Sequence, residues 1–264
     1  MAHGILHGAR HALVHGMKHG GLTLSLPSMA GVSRDATSNI YVPSSTAQWM
    51  QTMGAAGLGA NSPVLGWGCQ DASGNLADFI GANPGVFTGT ATAYQVPVTG
   101  WSRLSVTGTD ASTAMAAATG VANPATNSYL AIGYTTLAAA PAAVRQIHTF
   151  GTGTVTTDRY NLTTGILQAV SGGNIGNGVT SPGLTAVRPQ VMLYDVTNNR
   201  AMAYSDQDKV ACTRAATTGA KYTANFGFTG GWLYTVLFTG PSAELTDGQI
   251  KTLLTTLGWS IAWS

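Results

Sequence analysis

Short apolar segments, separated by glycine, asparagine and proline, recur through most of this chain and constrain its fold more than any other feature. The clearest of them are residues 64–70, 129–137, 145–150, 165–170 and 232–238. Segments of this length between turn-forming residues predict β-strands. Because a regular succession of short strands is typical of a two-layered sandwich, we predict an all-β fold.

A β-hairpin is predicted by the sequence QVMLYDVTNNRAMAYSD, residues 190–206. Its turn is expected at residues 197–199, and Met202 and Tyr204 would return on the second strand. Alternate residues of the first strand would point to opposite faces, with Val191, Leu193 and Asp195 on one face and Met192 and Tyr194 on the other.

One helix is well defined by the sequence and begins after Thr246. Gln249 has the spacing of a capping box with Thr246. Leu245 and Ile250 have the spacing of a hydrophobic staple, and Gly258 suits the left-handed conformation that ends many helices. Beyond the helix, Trp259, Ile261 and Trp263 alternate with polar or small residues, which predicts a final strand-like tail.

Two stretches of the chain resemble sequences of one known protein family. The closing stretch is GWLYTVLFTGPSAELTDGQIKTLL, in which a strand leads into the phrase LTDGQI and a short helix. The opening stretch is LGWGCQDASGNLADFIGANPGVFTGTATAYQ, residues 65–95. Both are similar to concanavalin A-like, laminin G-type jelly rolls, and the resemblance covers residues 63–259. It implies an all-β, concanavalin A-like (laminin G-like) jelly-roll β-sandwich that ends in a short C-terminal helix.

The resemblance also suggests a biological setting. Many domains of this family belong to surface-exposed proteins, including head and tail proteins of bacteriophages. The segment SRDATSNIYVPSS, residues 33–45, is similar in style to phage virion proteins.

The start of the chain has a different character, because a histidine recurs at every fourth position: His3, His7, His11, His15 and His19. Glycine follows four of these five histidines, which disfavours an isolated helix. Arg10 and Lys18 add positive charge. We favour an extended assembly arm that orders against neighbouring subunits. A disordered tail and a metal site are the alternatives, and the absence of accompanying acids or cysteines disfavours metal.

We therefore predict two parts, an arm and linker over residues 1–45 and a sandwich domain over residues 46–264. The domain would open with a short helix at residues 46–53, TAQWMQTM.

Charge is sparse, since only 8% of residues are Asp, Glu, Lys or Arg, and this favours an assembled state. The net charge of +2, without a basic run, gives no support to nucleic-acid binding. No stretch is apolar enough for a membrane span, and no secretory signal is expected. We thus expect a virion protein made in the host cytoplasm.

Cys69 and Cys212 lie far apart, and free thiols are favoured over a disulfide.

Catalytic patterns are scarce. Glycoside hydrolysis ordinarily needs two facing carboxylates, but the chain has one glutamate, Glu244. Asp206 and Asp208, in the loop SDQDK, are expected in a solvated turn rather than a calcium site. His148 is expected to be a packed or half-exposed residue of a strand rather than a catalytic base. The run SGGNIGNG, residues 171–178, predicts tight turns. We therefore expect no enzymatic activity, no cofactor and no bound metal.

Exposed aromatic residues can stack on sugar rings, and Tyr94, Trp101 and Tyr160 are the candidate glycan contacts.

The favoured function is a structural phage virion protein, namely a minor capsid or decoration protein. It would be held to capsid or tail subunits by its arm and form a homo-oligomer, with a trimer expected first. The alternative is a carbohydrate-binding head- or tail-fibre module that attaches to a glycan on the host surface.

Overall fold

The computed structural model describes sixteen ranges of the chain: residues 33–34, 41–43, 45–67, 75–76, 78–81, 83–88, 92–95, 102–105, 114–117, 127–135, 145–160, 165–179, 188–219, 221–225, 232–240 and 245–264. All of them belong to one compact unit, Ser33–Ser264. The histidine arm, Cys69, Trp101 and Glu244 lie outside the described residues. Among the described residues, no helix has the length and apolar character needed to cross a membrane.

The described residues form two helices, α1 (Thr46–Ala55) and α2 (Asp247–Thr256). Their strands are β1 (Ser33–Arg34), β2 (Tyr41–Val42), β3 (Ser62–Trp67), β4 (Asn75–Leu76), β5 (Gly85–Thr88), β6 (Thr92–Gln95), β7 (Ser102–Ser105), β8 (Ala114–Ala117), β9 (Ser128–Thr135), β10 (Arg145–Phe150), β11 (Thr156–Tyr160), β12 (Leu167–Ser171), β13 (Asn174–Asn177), β14 (Arg188–Asp195), β15 (Arg200–Tyr204), β16 (Lys209–Thr213), β17 (Tyr222–Asn225) and β18 (Trp232–Gly240).

Two antiparallel sheets contain most of these strands. Sheet I has the order β13-β12-β11-β10-β17-β8-β5-β4. Sheet II has the order β16-β15-β14-β9-β18-β7-β6, and β3 also pairs with β18. Strands β1 and β2 form a separate two-stranded ladder. Neighbours in each sheet are often distant in sequence, as expected when a chain winds back and forth between the two layers of a sandwich.

The main core lies between the two sheets and is built from alternate residues of their strands. Phe150 of sheet I lies at its centre, with its ring 5.3 Å from that of Tyr129 in sheet II and 5.2 Å from that of Tyr222 (ring centroids). Other buried members include Leu65, Trp67, Ala131, Ile147, Leu167, Ala169, Met192, Tyr194, Ala203, Val210, Ala224 and Leu237.

A second apolar layer covers the outer face of sheet II. Trp49 of α1 meets the ring of Phe238 edge-on at 5.5 Å. At the start of α2, Asp247 accepts a 3.0 Å hydrogen bond from the Tyr204 hydroxyl. The sheet residues beneath the helices are buried and include Leu130, Ile132, Val191, Leu193 and Met202. Sheet II is thus covered on both faces, which explains the nearly continuous apolar sequences of β9 and β14.

The predicted hairpin is confirmed. Strands β14 and β15 pair from Val191–Tyr204 to Asp195–Arg200, and a turn joins them. Asp195 holds that turn by accepting from the backbone N–H of Asn198 at 3.0 Å and from Nε of Arg200 at 2.9 Å. Val191 lies on the helix side of the sheet and Met192 faces the core, so the predicted alternation is also correct.

Both predicted helices are present. The first begins as expected after Ser45, whose hydroxyl accepts from the Gln48 N–H, and extends two residues beyond the prediction. In α2, the Gln249 N–H donates to the Thr246 hydroxyl at 3.2 Å. The Thr246 N–H donates in return to Oε1 of Gln249 at 3.0 Å, completing the capping box. Gly258 follows with a φ of +96°, the conformation predicted for it.

Replacing Thr246 with alanine should lower the free energy of unfolding by about 1 kcal/mol, since it leaves an N-terminal N–H of α2 without its acceptor. Thr252→Ala is the matched control, because this threonine is exposed within the same helix and donates only to the Gly248 carbonyl. Urea unfolding measures both changes. Equal stabilities for the two variants would contradict a stabilising cap.

The predicted final strand is wrong. Residues after Gly258 have no regular secondary structure and pack as a tail on sheet II and α2. The Trp263 ring lies 5.5 Å from that of Tyr204, with the ammonium groups of Lys209 and Lys251 each 5.7 Å from its centre. Trp259 and Trp263 are buried and Ile261 is only half-buried, and the tail is held by individual contacts rather than by pairing with a neighbouring strand.

Candidate functional site

The outer face of sheet I carries two rows of side chains across its strands. Cross-strand partners point to the same face of a sheet, and the first row is Gln146, Arg159, Gln168 and Asn177. The second row is Thr223, Thr149, Thr157, Val170 and Ile175. Their immediate neighbours along the strands, such as Leu167 and Ala169, point into the core. Both rows therefore face away from the core.

Three members of the first row form a continuous chain of hydrogen bonds, here called the polar chain: Arg159, Gln168 and Asn177. Nε of Arg159 donates to Oε1 of Gln168 at 2.8 Å. Nε2 of Gln168 donates to Oδ1 of Asn177 at 2.5 Å. A guanidinium can only donate, so it fixes the orientation of the Gln168 amide, and that amide in turn fixes the orientation of Asn177.

The polar chain runs from a half-buried residue to an exposed one. Gln168 is only 3% exposed, whereas Asn177 at the edge strand is exposed and Arg159 is half-buried. Partial burial lowers the pKa of the Arg159 guanidinium from its ordinary value. Gln168 thus acts as a fixed support, while Arg159 and Asn177 are the members that a ligand can reach.

An exposed apolar residue lies beside the polar chain. Ile175 is two residues before Asn177 on β13, on the same face, and 49% of its surface is exposed. Its cross-strand neighbour Val170 is buried. Ligand sites commonly combine apolar contact area with a few fixed polar groups, and this edge of sheet I offers both.

A buried hydrogen-bonded pair, His148 and Asp158, lies on the core side of the same strands. Both side chains have zero exposure. Oδ1 of Asp158 accepts from the His148 N–H at 2.7 Å, and Nδ1 of His148 lies 3.0 Å from Oδ2. The pairing of β10 with β11 shifts between Gln146 and Thr149, so the pair spans a β-bulge. The prediction that His148 is packed is confirmed, and its depth makes the pair a structural element.

The loop of Asp206 and Asp208 is not the solvated turn that we expected. Both residues are buried, at 8% and 6% exposure, and Asp206 forms an ion pair with Arg188. Burial raises the pKa of the Asp206 carboxyl, although Arg188 acts in the opposite direction. The C-terminal tail covers the loop, since Nε1 of Trp263 donates to the Ser205 carbonyl at 2.8 Å. In the described ranges, no group of three potential metal ligands comes together.

The glycine-rich run at residues 171–178 is only partly the tight turn that was predicted. Gly172 and Gly173 form the turn, but Asn174–Asn177 is strand β13 and carries Asn177 of the polar chain. Sequence reasoning missed all three members of that chain. Each follows the previous one by nine residues, but that interval brings them together only in the register that the three strands adopt.

The predicted glycan contacts are not brought together by the described residues. Tyr94 lies in β6 of sheet II and Tyr160 ends β11 of sheet I, but neither side chain is among those described, and Trp101 is outside them. The arm residues His3, His7, Arg10, His11, His15, Lys18 and His19 also lie outside them. Cys212 carries a free thiol whose pKa is raised by burial.

Comparison with known proteins identifies the fold but no family. No protein-family model and no curated protein matches the chain. A solved Trypanosoma rangeli sialidase matches with a TM-score of 0.53 and 12% identity over 75% of this chain and 33% of that one. The same enzyme in complex with sialic acid matches with a TM-score of 0.52, 12% identity, and 75% and 34% coverage.

A Ruminococcus gnavus IT-sialidase CBM40 also matches, at 10% identity over 50% of this chain and 84% of that one. The TM-score of this match is 0.32. This chain spans about a third of the length of the sialidase chains that it matches. Together with the two antiparallel sheets, the sialidase matches confirm the all-β jelly-roll sandwich.

The prediction that this chain is not an enzyme is contradicted by these matches, because the fold is shared with sialidases, which are glycoside hydrolases. That prediction required a pair of carboxylates, and the criterion is too narrow, since sialidases use a tyrosine nucleophile. An identity of 12–13% shows the fold alone, so these matches do not establish an activity. The virion setting and the trimer are tested by none of these observations and stay predictions.

Proposed function

We propose that the outer face of sheet I binds a carbohydrate, with the polar chain of Arg159, Gln168 and Asn177 as its hydrogen-bonding centre. The observation that carries this proposal is the preformed geometry of that chain. Side chains that are already held in place lose little conformational freedom when a ligand binds. A sugar offers many hydroxyl and ring oxygens, which suit fixed N–H donors.

Exposed side chains at the β13 edge of sheet I support this location. The outer face of sheet II is occupied by α1, α2 and the C-terminal tail, through contacts such as Trp49 with Phe238 and Tyr204 with Trp263. On the outer face of sheet I, Asn177 and Ile175 are exposed and Arg159 is half-buried, whereas Thr149, Thr157, Gln168 and Val170 are buried, so the accessible part of this face is its β13 edge. Ile175 adds exposed apolar surface next to Asn177, where the C–H groups of a sugar ring could pack.

The shared fold supports the choice of ligand class. Sialidases, one of them solved in complex with sialic acid, have a part that matches this sandwich. A carbohydrate is therefore the first class of ligand to test on this face. Such binding agrees with the alternative predicted from the sequence, a module that attaches to a host glycan.

Asn177→Ala should weaken binding to the glycan that the wild-type chain selects on a glycan array by about tenfold, the value of one good hydrogen bond. Titration calorimetry with that glycan measures the change. Asn174→Ala is the matched control: it removes the same side chain from the same strand, but Asn174 pairs with Ser171 on the other face and donates to the Thr213 carbonyl.

Two outcomes would overturn the proposal. One is an array on which the wild-type chain binds no glycan. The other is a glycan that binds equally well to the wild-type chain and to Asn177→Ala, because its site would then lie elsewhere. Circular dichroism of each variant establishes that the sandwich is still folded.

A further inference from the structure

The polar chain presents donors and no acceptors at its two accessible ends. Nε of Arg159 is engaged by Gln168, and its two terminal nitrogens have no partner among the described residues. Oδ1 of Asn177 is engaged by Gln168, so its Nδ2 is the atom left to face a ligand. Gln168 is the buried link that forces this arrangement, because its own oxygen and nitrogen are both occupied.

Among the residues that the structure describes, no acidic side chain on this face balances the charge of Arg159. The other described members of the two rows are uncharged glutamine, asparagine, threonine, valine and isoleucine side chains. Asp158 is adjacent in sequence, but it points into the core and is occupied by His148. No described acidic residue forms an ion pair with Arg159, whereas Arg188 and Arg200 each have an aspartate partner.

A half-buried guanidinium without a counter-charge gains most from an anionic ligand. Desolvating a charge is costly unless it is paired, and the fork of two terminal nitrogens matches the two oxygens of a carboxylate. A neutral sugar could accept hydrogen bonds from Arg159, but it would leave the charge uncompensated. A carboxylate satisfies both the geometry and the charge.

We infer that the glycan bound on this face carries a carboxylate, which Arg159 holds through its two terminal nitrogens while Asn177 donates to a neighbouring oxygen of the same acidic sugar. This inference rests on the proposed function and specifies its ligand. The acidic sugar can be a sialic acid or a hexuronic acid, because both present the carboxylate next to ring and hydroxyl oxygens.

The test compares each acid with its neutral methyl ester, which keeps the sugar and removes the charge. The probes are 3′-sialyllactose and trigalacturonic acid, each as free acid and as methyl ester, titrated into the full chain by calorimetry. We expect at least one free acid to bind at least about tenfold more tightly than its ester, as for a hydrogen-bonded charge pair. The acid that shows this preference identifies the kind of sugar.

Variants assign the preference to Arg159. In Arg159→Gln the acid and its ester should bind alike, whereas Arg159→Lys should keep part of the preference as a point charge. Lys251→Gln is the matched control, since it removes the same charge from α2, which packs on the other sheet. The preference of this control should equal that of the wild-type chain.

The other outcomes overturn the inference in distinguishable ways. If acid and ester bind equally and Asn177→Ala weakens both, the face binds glycans without selecting charge, and the proposed function stands. If only neutral glycans bind on the array, the inference is also wrong, whereas the proposed function stands. If Arg159→Gln still binds the free acid more tightly than the ester, a residue other than Arg159 binds the carboxylate and the inference is wrong. If no glycan binds at all, the proposed function fails together with this inference.

Discussion

Replacing Asp158 with alanine should lower the free energy of unfolding by about 3 kcal/mol or more, because each buried donor left without an acceptor costs about 1–3 kcal/mol. The carboxylate accepts from the backbone N–H of His148 at 2.7 Å and lies 3.0 Å from its Nδ1. Neither side chain has any exposed surface. Without Asp158, two buried donors would lose their acceptor and a small cavity would remain.

Asp158→Asn provides the graded comparison, measured by urea unfolding alongside the alanine variant. Asparagine keeps one oxygen for the His148 N–H, and its amide can donate to Nδ1 when His148 takes the other tautomer. We therefore expect Asp158→Asn to lose clearly less stability than Asp158→Ala. An alanine variant within about 1 kcal/mol of the wild-type chain would show that the pair contributes little, as exposed pairs do.

The same pair positions the candidate site. The bulge lies between Gln146 and Thr149, and the partner strand carries Asp158 inward and Arg159 outward in consecutive positions. Because a one-residue slip would exchange the two faces, the His148–Asp158 contact fixes which residue reaches the outer face. Arg159 therefore lies on the outer face, while Asp158 is paired with His148 on the core side.

The sequence predicted those features that depend on residues close together in the chain. The capping box of Thr246 and Gln249 spans three positions and forms as expected, and so does the hairpin around Asn198. In each case the side chains that define the element lie within the element itself. Alternation also gave the correct division of β14 into two faces, because successive side chains of a strand point to opposite sides of the sheet.

The sequence failed where a residue's surroundings come from distant parts of the chain. Asp206 was expected in solvent, but Arg188 and the tail at Trp263 enclose it. Asp158 received no role, because its partner lies across a bulge ten residues earlier. The polar chain required the register of three strands, β11, β12 and β13, and no local pattern fixes a register.

Gly176→Ala should also destabilise the sandwich, by about 3 kcal/mol, the upper part of the range for overpacked interiors. An ideal Cβ on Gly176 would lie 2.1 Å from the carbonyl oxygen of Ala211 and 2.9 Å from Cγ1 of Val210. Those atoms belong to β16 of sheet II, so the edges of the two sheets meet at this glycine. The obstacle is largely backbone, which a rotamer change cannot relieve.

Gly173→Ala is the matched control in the same hairpin, since a Cβ there would meet nothing within 4 Å. Its stability should stay the same or rise by about 0.5 kcal/mol, because alanine restricts the unfolded chain. Urea unfolding of both variants gives the comparison, and equal stabilities would show that β13 and β16 can separate at little cost. A destabilised Gly176→Ala should in addition bind glycan less tightly, because Asn177 is the next residue on the strand that must move.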